Sequence, residues 1–567
     1  MAGALEAGGP VGEGDLLDRG SLLGGDGLLE GFDAADVAAA DRARLSEGAD
    51  LMAVASAALA RACATRLREV CGRVAGTRVV LLVGSGNNGG DALLAGARLR
   101  RRGTGVTALL CGGGHHEAGA VALAREGGEL LRVPDPDSDG TGPDGEAHGG
   151  LPARARAALA AADLVVDGLL GIGSRGAVRG AGGLVLAALT AAPDSPWASP
   201  RPRSVVACDL PSGLDPDTGL TAAAVLPADV TVTFGAAKTG LLLPWSQHLL
   251  GRLVVVDLGL RPHLPARPAV RRLVPGQDPG ATGELLGRVW PWPWREADKY
   301  SRGVLGVAAG EAAYPGAAVL AVRAATRTGA GMVRVVPPVG APDVGRLVLE
   351  SVPEGVVQPL EDVGRVQAWV VGPGTSGGPD PRAAHVLVAA DEPAVVDAGA
   401  LTLLAEAVVA GTLRRPERLL LTPHAGELAR LLQALGPAEA DQQAPDEDRA
   451  GAGGRWQGAR AAAARTGGTV LLKGADTLVV SPDGTTVVVP GGPPALATAG
   501  AGDVLAGVAG AALAAGLPPA TAGVLAAHVH AVAAHRAGGL GPLHASAVVA
   551  AVAAVLTGAH PDSWDHG

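Results

Sequence analysis

Short, unbroken apolar runs alternate with stretches in which alanine and leucine recur at helical spacing, and this alternation fills most of the chain. The segment RVVLLVGSGNNGGDALLAGARLRRRG, from Arg78 to Gly103, predicts a strand, a glycine-rich turn and a helix, with VTALLCGGG as the next strand. Further apolar runs reach Asp167 and Asp209 (SVVACDLPSGLD) and continue in TVTFGAAKTGLL and GRLVVVDLGL. Runs of Val, Leu and Ala without polar alternation are what a parallel sheet covered on both faces requires. Ahead of them, Asp33 to Arg68 predicts one or two helices, and residues 1–30, Gly-rich without a period, predict a loose leader.

Between Arg261 and about Gly287 the pattern gives way to RPHLPARPAVRRLVPGQDPGATG, a linker composition that predicts a domain boundary. Alternation resumes with GVLGVAAG, an Ala-rich helix through Thr328, MVRVVPP, AWVVGPGTSGG, PAVVDAGAL, RLLLTPHAGELARLL, TVLLKGADTLVVS and a terminal Ala-rich block. This predicts a second, complete α/β domain. Inserts at 134–150, 191–204 and 436–455 predict surface loops. The polar residues of interest follow the apolar runs, at the edge where open α/β sheets place ligands.

Composition narrows the function. A chain of 567 residues exceeds one domain of about 100–200 residues, so at least two cores are expected. Hydrophobic residues at 48% and charged residues at 18% exclude a disordered chain. The net charge of -10 lacks the excess of Lys and Arg that a nucleic-acid surface needs. Four cysteines without a CxxC predict reduced core thiols, and the N-terminus lacks the basic and apolar regions of a signal peptide, so the expected compartment is cytoplasmic. Val504 to His535 contains no Asp, Glu, Lys or Arg, but Pro518-Pro519 and three histidines interrupt it; packed helices are expected rather than a membrane span.

Only three of the 46 basic residues are lysine (Lys238, Lys299 and Lys473), and Asn87 and Asn88 are the only asparagines. A residue type nearly emptied from a chain survives where its replacement fails chemically. A compact ammonium is not a guanidinium, and an amide offers donor and acceptor where Asp offers acceptors alone.

In ATAGAGDVLAG (Ala497 to Gly507) small residues and glycines precede a helix, so backbone N–H groups and the helix dipole form an anion hole, with Asp503 placed to accept a proton. Lys473 follows one strand, and His424 and Glu427 follow another. In VGSGNNGGDAL glycines let backbone approach a diphosphate, and amide oxygens can coordinate a hard cation. His115-His116-Glu117 and His528-x-His530 lack ligand partners at metal spacing and predict solvated or core histidines. Trp290-Pro-Trp-Pro-Trp294 predicts packing at the start of the second domain.

Taken together, KYSRGVLGVAAGEAAYPGAAVLAVRAATRTGAGMVRVV, GPGTSGG, TPHAGELARL, KGADT and ATAGAGDVLAG resemble the ADP/ATP-dependent NAD(P)H-hydrate dehydratase, a ribokinase-like fold, over about residues 290–560. The resemblance implies that Asp503 deprotonates the 6-hydroxyl of the hydrated nicotinamide, which a nucleotide phosphorylates before phosphate leaves. It implies hydrated dinucleotide on Ala317, Gly374, His424 and Asp503, and ADP or ATP, with Mg2+, on Lys473, Gly474, Ala475, Asp476, Thr477 and Gly502. Two motifs depart from the family pattern. Its DAD-type acidic motif reads Asp397-Ala398-Gly399, without the second carboxylate, and its GGTGD reads Ala499-Gly500-Ala501-Gly502-Asp503, which loses a hydroxyl.

VGSGNNGGDAL, VVDGLLGIGSRGAVRG and ACDLPSGLD resemble the Rossmann-like NAD(P)H-hydrate epimerase over about 30–260. The implied substrate residues are Asn87, Asn88, Gly89, Gly90 and Asp91, then Gly171, Ile172, Gly173, Ser174, Arg175, Gly176 and Ala177, and Asp209. The implied K+ ligands are Asn88, Asp167 and Ser212. In this half GTG reads Gly171-Ile172-Gly173, Ala92 replaces a glycine, and DVAAADRARLSEGADLMAVASAA replaces an early Glu-bearing helix.

The expectation is an α/β chain: an N-terminal Rossmann-like three-layer domain at 30–260 and a C-terminal ribokinase-like α/β domain at 285–562. It would join epimerisation of R and S hydrates to dehydration of the S form, act on small molecules, assemble as a homo-oligomer, and bind neither nucleic acid nor membrane. The rivals are a ribokinase-type small-molecule kinase, which would use the same anion hole and Asp, and a nucleotide-binding scaffold with a degenerate N-terminal half. Lys238, in FGAAKTG of the epimerase-like half, is placed where an ammonium can touch a diphosphate, without an assigned role.

Overall fold

The computed structural model describes residues 27–136, 151–173, 175–191, 202–274, 279–436 and 452–560. Its chain forms two compact units, one of Glu30–Val270 and one of Arg271 onward with the described residues before Glu30.

In the first unit seven strands lie in the order Glu129–Val133, Gly105–Cys111, Arg78–Val83, Leu164–Gly168, Val205–Cys208, Val230–Phe234 and Arg252–Val256. Every neighbouring pair is parallel. Because successive side chains of a strand point to opposite faces, Val79, Leu81 and Val83 enter one core while Val80 and Leu82 enter the other. Helices Leu51–Cys71, Asn87–Arg100 and Glu117–Arg125 cover the first face, and Ala153–Ala160 and Gly180–Thr190 the second. The result is three layers, and each fully buried Val or Leu contributes about 1.5–3 kcal/mol to it. The helical stretch after Asp33 is two helices, Ala34–Ser46 and Leu51–Cys71, separated around Gly48, whose φ is 86°.

In the second unit nine strands run from Val304 onward among the described residues. Their order is Val356–Val357, Met332–Val335, Val304–Ala308, Ala368–Val371, Ala394–Val396, Leu419–Leu421, Thr469–Leu472, Thr477–Val480 and Thr486–Val489. The first seven are parallel; the last two join as antiparallel hairpins. Helices Pro315–Thr328, Ala501–Ala514, Pro519–Gly538 and Ala545–Thr557 share one large apolar core with the sheet. Small residues set the spacing there: a Cβ on Gly507 would lie 2.2 Å from the Ala321 carbonyl oxygen, so Ala501–Ala514 can approach Pro315–Thr328 only with glycine at that point. That contact fixes where the helix start, and Asp503 with it, meets the strand ends.

Three expectations change. The Pro- and Arg-rich stretch holds a strand, Val270–Leu273, and a helix, Pro279–Val289, because Val270, Leu273 and Leu286 bury apolar surface within an otherwise linker-like composition. The expected leader ends in a strand, Leu28–Phe32. The insert beginning near 436 yields to helix Ala452–Thr466. The charge-free stretch Val504 to His535 divides between two helices at Pro518-Pro519, and no helix among the described residues is long and apolar enough to cross a membrane.

Candidate active sites

In the second unit three strand ends meet a helix start. Lys473, after strand Thr469–Leu472, donates from Nζ to Asp397 Oδ1 at 2.7 Å and stands 3.6 Å from Glu427 Oε2. Thr422 Oγ1 donates to the same Asp397 oxygen at 2.8 Å. The backbone enforces this meeting, since Lys473 N donates to the Pro423 oxygen at 2.9 Å and Lys473 pairs with His424 in a parallel bridge. Burial opposes the Lys473 charge, but Asp397 and Glu427 outweigh it and raise its pKa, so the ammonium is permanent.

Asp503 lies in the first turn of Ala501–Ala514. The N-cap is Gly500, at φ 86°, and no side chain among the described residues caps the helix, which leaves first-turn N–H groups for a ligand. A Cβ on Gly502 would stand 3.5 Å from Lys473 Nζ, so the ammonium lies beside this helix start. Burial, reinforced by Asp397 and opposed by Lys473, pushes the Asp503 carboxyl up to about 7. A carboxyl near neutrality can both take up and release a proton at physiological pH.

His424 caps helix Ala425–Leu435 through a capping box. Its Nδ1 accepts from Gly426 N at 3.0 Å and Glu427 N at 3.3 Å, while Glu427 accepts from His424 N at 2.8 Å. With Nδ1 committed as an acceptor, the neutral ring carries its proton on Nε2. Gly374, at φ 66°, lies against Ala317: a Cβ there would fall 2.4 Å from the Ala317 Cβ. Within the loop after Lys473, Asp476 turns elsewhere, accepting from Gly491 N at 3.0 Å and pairing with Arg272 at 2.9 Å, so its carboxylate shapes the turn of Gly474 and Ala475 before Thr477 enters a strand.

In the first unit Asn87 to Asp91 open helix Asn87–Arg100. Asn88 Nδ2 donates to the carbonyls of Leu170 and Cys208, each at 2.9 Å. Its amide also lies against Gly171, where a Cβ would come 2.8 Å from Asn88 Oδ1. Asp167 is wholly buried and accepts from Ser212 Oγ at 2.6 Å, Ser212 N at 2.8 Å and Leu169 N at 3.3 Å. Burial raises its pKa, against the pull of those donors. Leu170 links Asn88 to Asp167 and Ser212, its carbonyl accepting from Asn88 Nδ2 and its N donating to Ser212 Oγ at 3.0 Å, and an oxygen-rich set around one buried carboxylate without a cationic partner among the described residues fits a hard monovalent cation better than zinc. For Mg2+, Asp397 and Glu427 are the carboxylates near Lys473, and a cation that keeps waters and binds mainly through phosphates fits such a sparse set.

Asp209 has a left-handed backbone, φ 71°, and its Oδ1 accepts from Lys238 Nζ, from Thr233 Oγ1 at 3.0 Å and from Phe234 N at 3.3 Å. Lys238 also donates to Thr233 Oγ1 at 3.0 Å and to the Phe234 carbonyl at 3.1 Å, which occupies all three of its protons. Asp91 is buried with Oδ1 unpartnered, and burial, with Asp209 and Asp41 adding repulsion, pushes its carboxyl up to about 8. Asp41, on helix Ala34–Ser46, belongs to this acidic group and carries no motif that would single it out in the sequence.

The remaining residues of the Gly171 loop are less convergent. Ile172 packs on the apolar cluster of Leu210, Leu214 and Leu241, which accounts for an apolar residue there. Arg175 is exposed and pairs with Asp217 at 2.8 Å and Asp215 at 3.4 Å. Gly173, Gly176 and Ala177 continue the loop, and Ser174 lies outside the described residues. Lys299 is exposed, 5.2 Å from the Tyr300 ring. His116 caps helix Glu117–Arg125, whereas His528 and His530 are buried in Pro519–Gly538.

Comparison with known proteins adds the following. A family model described as NAD(P)H-hydrate dehydratase matches residues 305–540, and one described as YjeF-related protein N-terminus matches 48–240. The bifunctional NAD(P)H-hydrate repair enzyme of Mycobacterium tuberculosis is 39% identical over 486 residues, 84% of this chain and 86% of its own length. The NAD(P)H-hydrate epimerase of Clavibacter michiganensis is 43% identical over 236 residues, 41% of this chain and 92% of its own. The solved ADP/ATP-dependent NAD(P)H-hydrate dehydratase of Bacillus subtilis, co-crystallised with ATP and Mg2+, is 26% identical, covers 49% of this chain and 97% of its own, and has a TM-score of 0.40.

Proposed function

Because this chain belongs to the family of bifunctional NAD(P)H-hydrate repair enzymes, we propose that its two halves divide the repair, the domain at 30–260 epimerising R and S hydrates and the domain at 285–562 dehydrating the S form. The observation that carries the second assignment is the near-neutral carboxyl of Asp503 in the first turn of an uncapped helix, beside the Lys473 ammonium.

In the dehydratase half Asp503 takes the proton of the 6-hydroxyl as that oxygen attacks the terminal phosphorus of ADP or ATP. First-turn N–H groups at Gly502 and the Lys473 ammonium stabilise the charge on the transferring phosphoryl group. The bond from that phosphorus to the departing AMP or ADP breaks; phosphate then leaves C6 as C5 gives up a proton to water, and the ring double bond of the reduced nicotinamide is restored. His424, whose Nε2 lies 3.5 Å from Glu427 Oε1, and the backbone at Ala317 and Gly374 orient the hydrated ring, while Lys473 to Thr477 hold the nucleotide. Mg2+ would come in on the nucleotide phosphates and supply charge neutralisation.

In the epimerase half Asn87 to Asp91, the Gly171–Ala177 loop and Asp209 receive the hydrate. Asp91, with a carboxyl near neutrality and a free oxygen, is the group suited to exchange a proton with it. Asn88, Asp167 and Ser212 would hold K+, whose charge would balance the buried Asp167.

The test is recovery of reduced-nicotinamide absorbance from a mixed R/S NADPH-hydrate preparation with ADP and Mg2+. Wild type should recover it completely, Asp503→Asn not at all, and Asp167→Ala with a slow second phase. Recovery of the S fraction alone by wild type would remove the epimerase assignment. Accumulation of a phosphorylated alcohol in place of free phosphate would favour a kinase.

A further inference from the structure

A cavity of about 400 Å3 opens beside the dehydratase residues. Thr375 and Ser376 on its wall directly follow Gly374, and Glu427 and Arg430 belong to the helix that His424 caps. The cavity therefore continues from two positions assigned to the hydrated dinucleotide. Its charges are unequal. Glu427 accepts from His424 N and lies 3.6 Å from Lys473 Nζ, an ammonium it shares with Asp397. Arg430 is the one cation lining the cavity, and no carboxylate of the described residues pairs with it. Its guanidinium leans back along its helix, within 3.7 Å of where a Cβ on Gly426 would lie.

The other lining residues carry no charge of their own, and Glu311 reaches the cavity only through Ser376. A Cβ on Gly399 would fall 2.4 Å from Gly377 N and 2.5 Å from Thr375 Oγ1, so this position accepts no side chain and presents no carboxylate to repel an anion. Thr402 contributes a hydroxyl, whereas Thr375 Oγ1 donates to the Gly372 carbonyl at 2.8 Å and Ser376 Oγ to Glu311 Oε2 at 3.0 Å. An unpaired guanidinium facing neutral polar walls suits phosphate, which arginine can grip with two parallel hydrogen bonds. The dinucleotide carries phosphates well away from its reacting ring, whereas Lys473 is already shared between Asp397 and Glu427.

We propose that this cavity receives a phosphate of the hydrated dinucleotide, with Arg430 as its guanidinium partner. The proposal rests on the assignment of Gly374 and His424 to that substrate. Arg430 is exposed on a helix surface, so Arg430→Gln should fold normally. The variant should raise KM for NADPH hydrate about tenfold or more while kcat and KM for ADP stay within about twofold. Arg430→Lys should recover part of the loss, and Thr402→Glu, which places a carboxylate in the cavity, should weaken the hydrate in the same direction. A loss confined to NADPH hydrate assigns the 2′-phosphate; an equal loss on NADH hydrate assigns the diphosphate. Unchanged KM for both hydrates, or a rise in KM for ADP instead, overturns the proposal. Calorimetric binding of each hydrate without nucleotide keeps this separate from catalysis. Wild type that binds without turnover would contradict the role of Asp503, whereas wild-type affinity in Arg430→Gln would contradict the phosphate subsite.

Discussion

Each unit sets a lysine against a buried aspartate at a strand end, and the two pairs are built differently. In the first, the Lys238 and Asp209 side chains are 1% and 6% exposed, and every ammonium proton is spent on Asp209, Thr233 or Phe234. In the second, Lys473 is 21% exposed against 4% for Asp397, and its ammonium also borders Glu427 and the start of Ala501–Ala514. An ion pair removed from water is tolerable when its remaining protons and lone pairs are all satisfied, which describes Lys238. A pair that keeps one side open retains charge for a ligand. The same two residue types therefore serve as an anchor in one half and as part of a phosphoryl site in the other.

The contrast can be broken in four ways. Asp503→Asn should lower the dehydration rate by about 10²–10⁴-fold, as loss of a general base does, while R/S exchange in the same preparation proceeds at the wild-type rate. A parallel fall in both activities would show that the halves are not chemically separate. Lys238→Met strands the buried Asp209 carboxylate and should cost about 3–5 kcal/mol of first-unit stability by denaturant titration. Lys473→Met should instead raise KM for ADP by about ten- to a hundredfold, with a smaller stability loss because the Lys473 side of its pair is open to water and Asp397 keeps the Thr422 hydroxyl. Equal stability losses in the two lysine variants would end the distinction between anchor and open cation.

The smallest effect concerns pH. The Asp503 carboxyl is raised to about 7, so dehydration should increase as pH climbs through that value. Stability should run the other way. The folded state holds this proton longer than the unfolded chain does, so the contribution is full below the ordinary carboxylate range and is lost as pH rises toward about 7. Asp503→Asn should decline less than wild type, the raised carboxyls of Asp91, Asp167 and Asp41 keeping their own share, and chemical denaturation of both proteins at pH 5 and pH 8 would show the difference.

The sheet layers were legible because strands buried on both faces must be continuously apolar, and Arg78–Val83 and Ala368–Val371 meet that demand without ambiguity. Scarcity also carried information. Lys238, Lys473 and Asn88 each make buried or part-buried hydrogen bonds near strand ends, whereas Lys299 is a surface residue beside Tyr300. Asp41 stayed hidden because a lone aspartate on an amphipathic helix resembles any solvated position until the fold turns it toward Lys238 and Asp209. The role of Lys238 depended on a contact across 29 residues, which no local pattern encodes. The strand Val270–Leu273 was obscured by flanking prolines and arginines that dilute a four-residue apolar signal.

The four cysteines differ in their reach to solvent. All four stand between Cys63 and Cys208, within Glu30–Val270, and all are free thiols. Burial pushes Cys63 and Cys111 up to about 12 and Cys208 well above the ordinary thiol value, leaving half-exposed Cys71 as the accessible one. Since the thiolate is the reactive form, an alkylating pulse should modify Cys71 at once and the other three only when their surroundings open. Six of the eight tryptophans lie beyond Arg271, so fluorescence weighs mainly the second unit. Mass-resolved alkylation and tryptophan emission thus form two nearly orthogonal clocks, one for the opening of each half of a single chain.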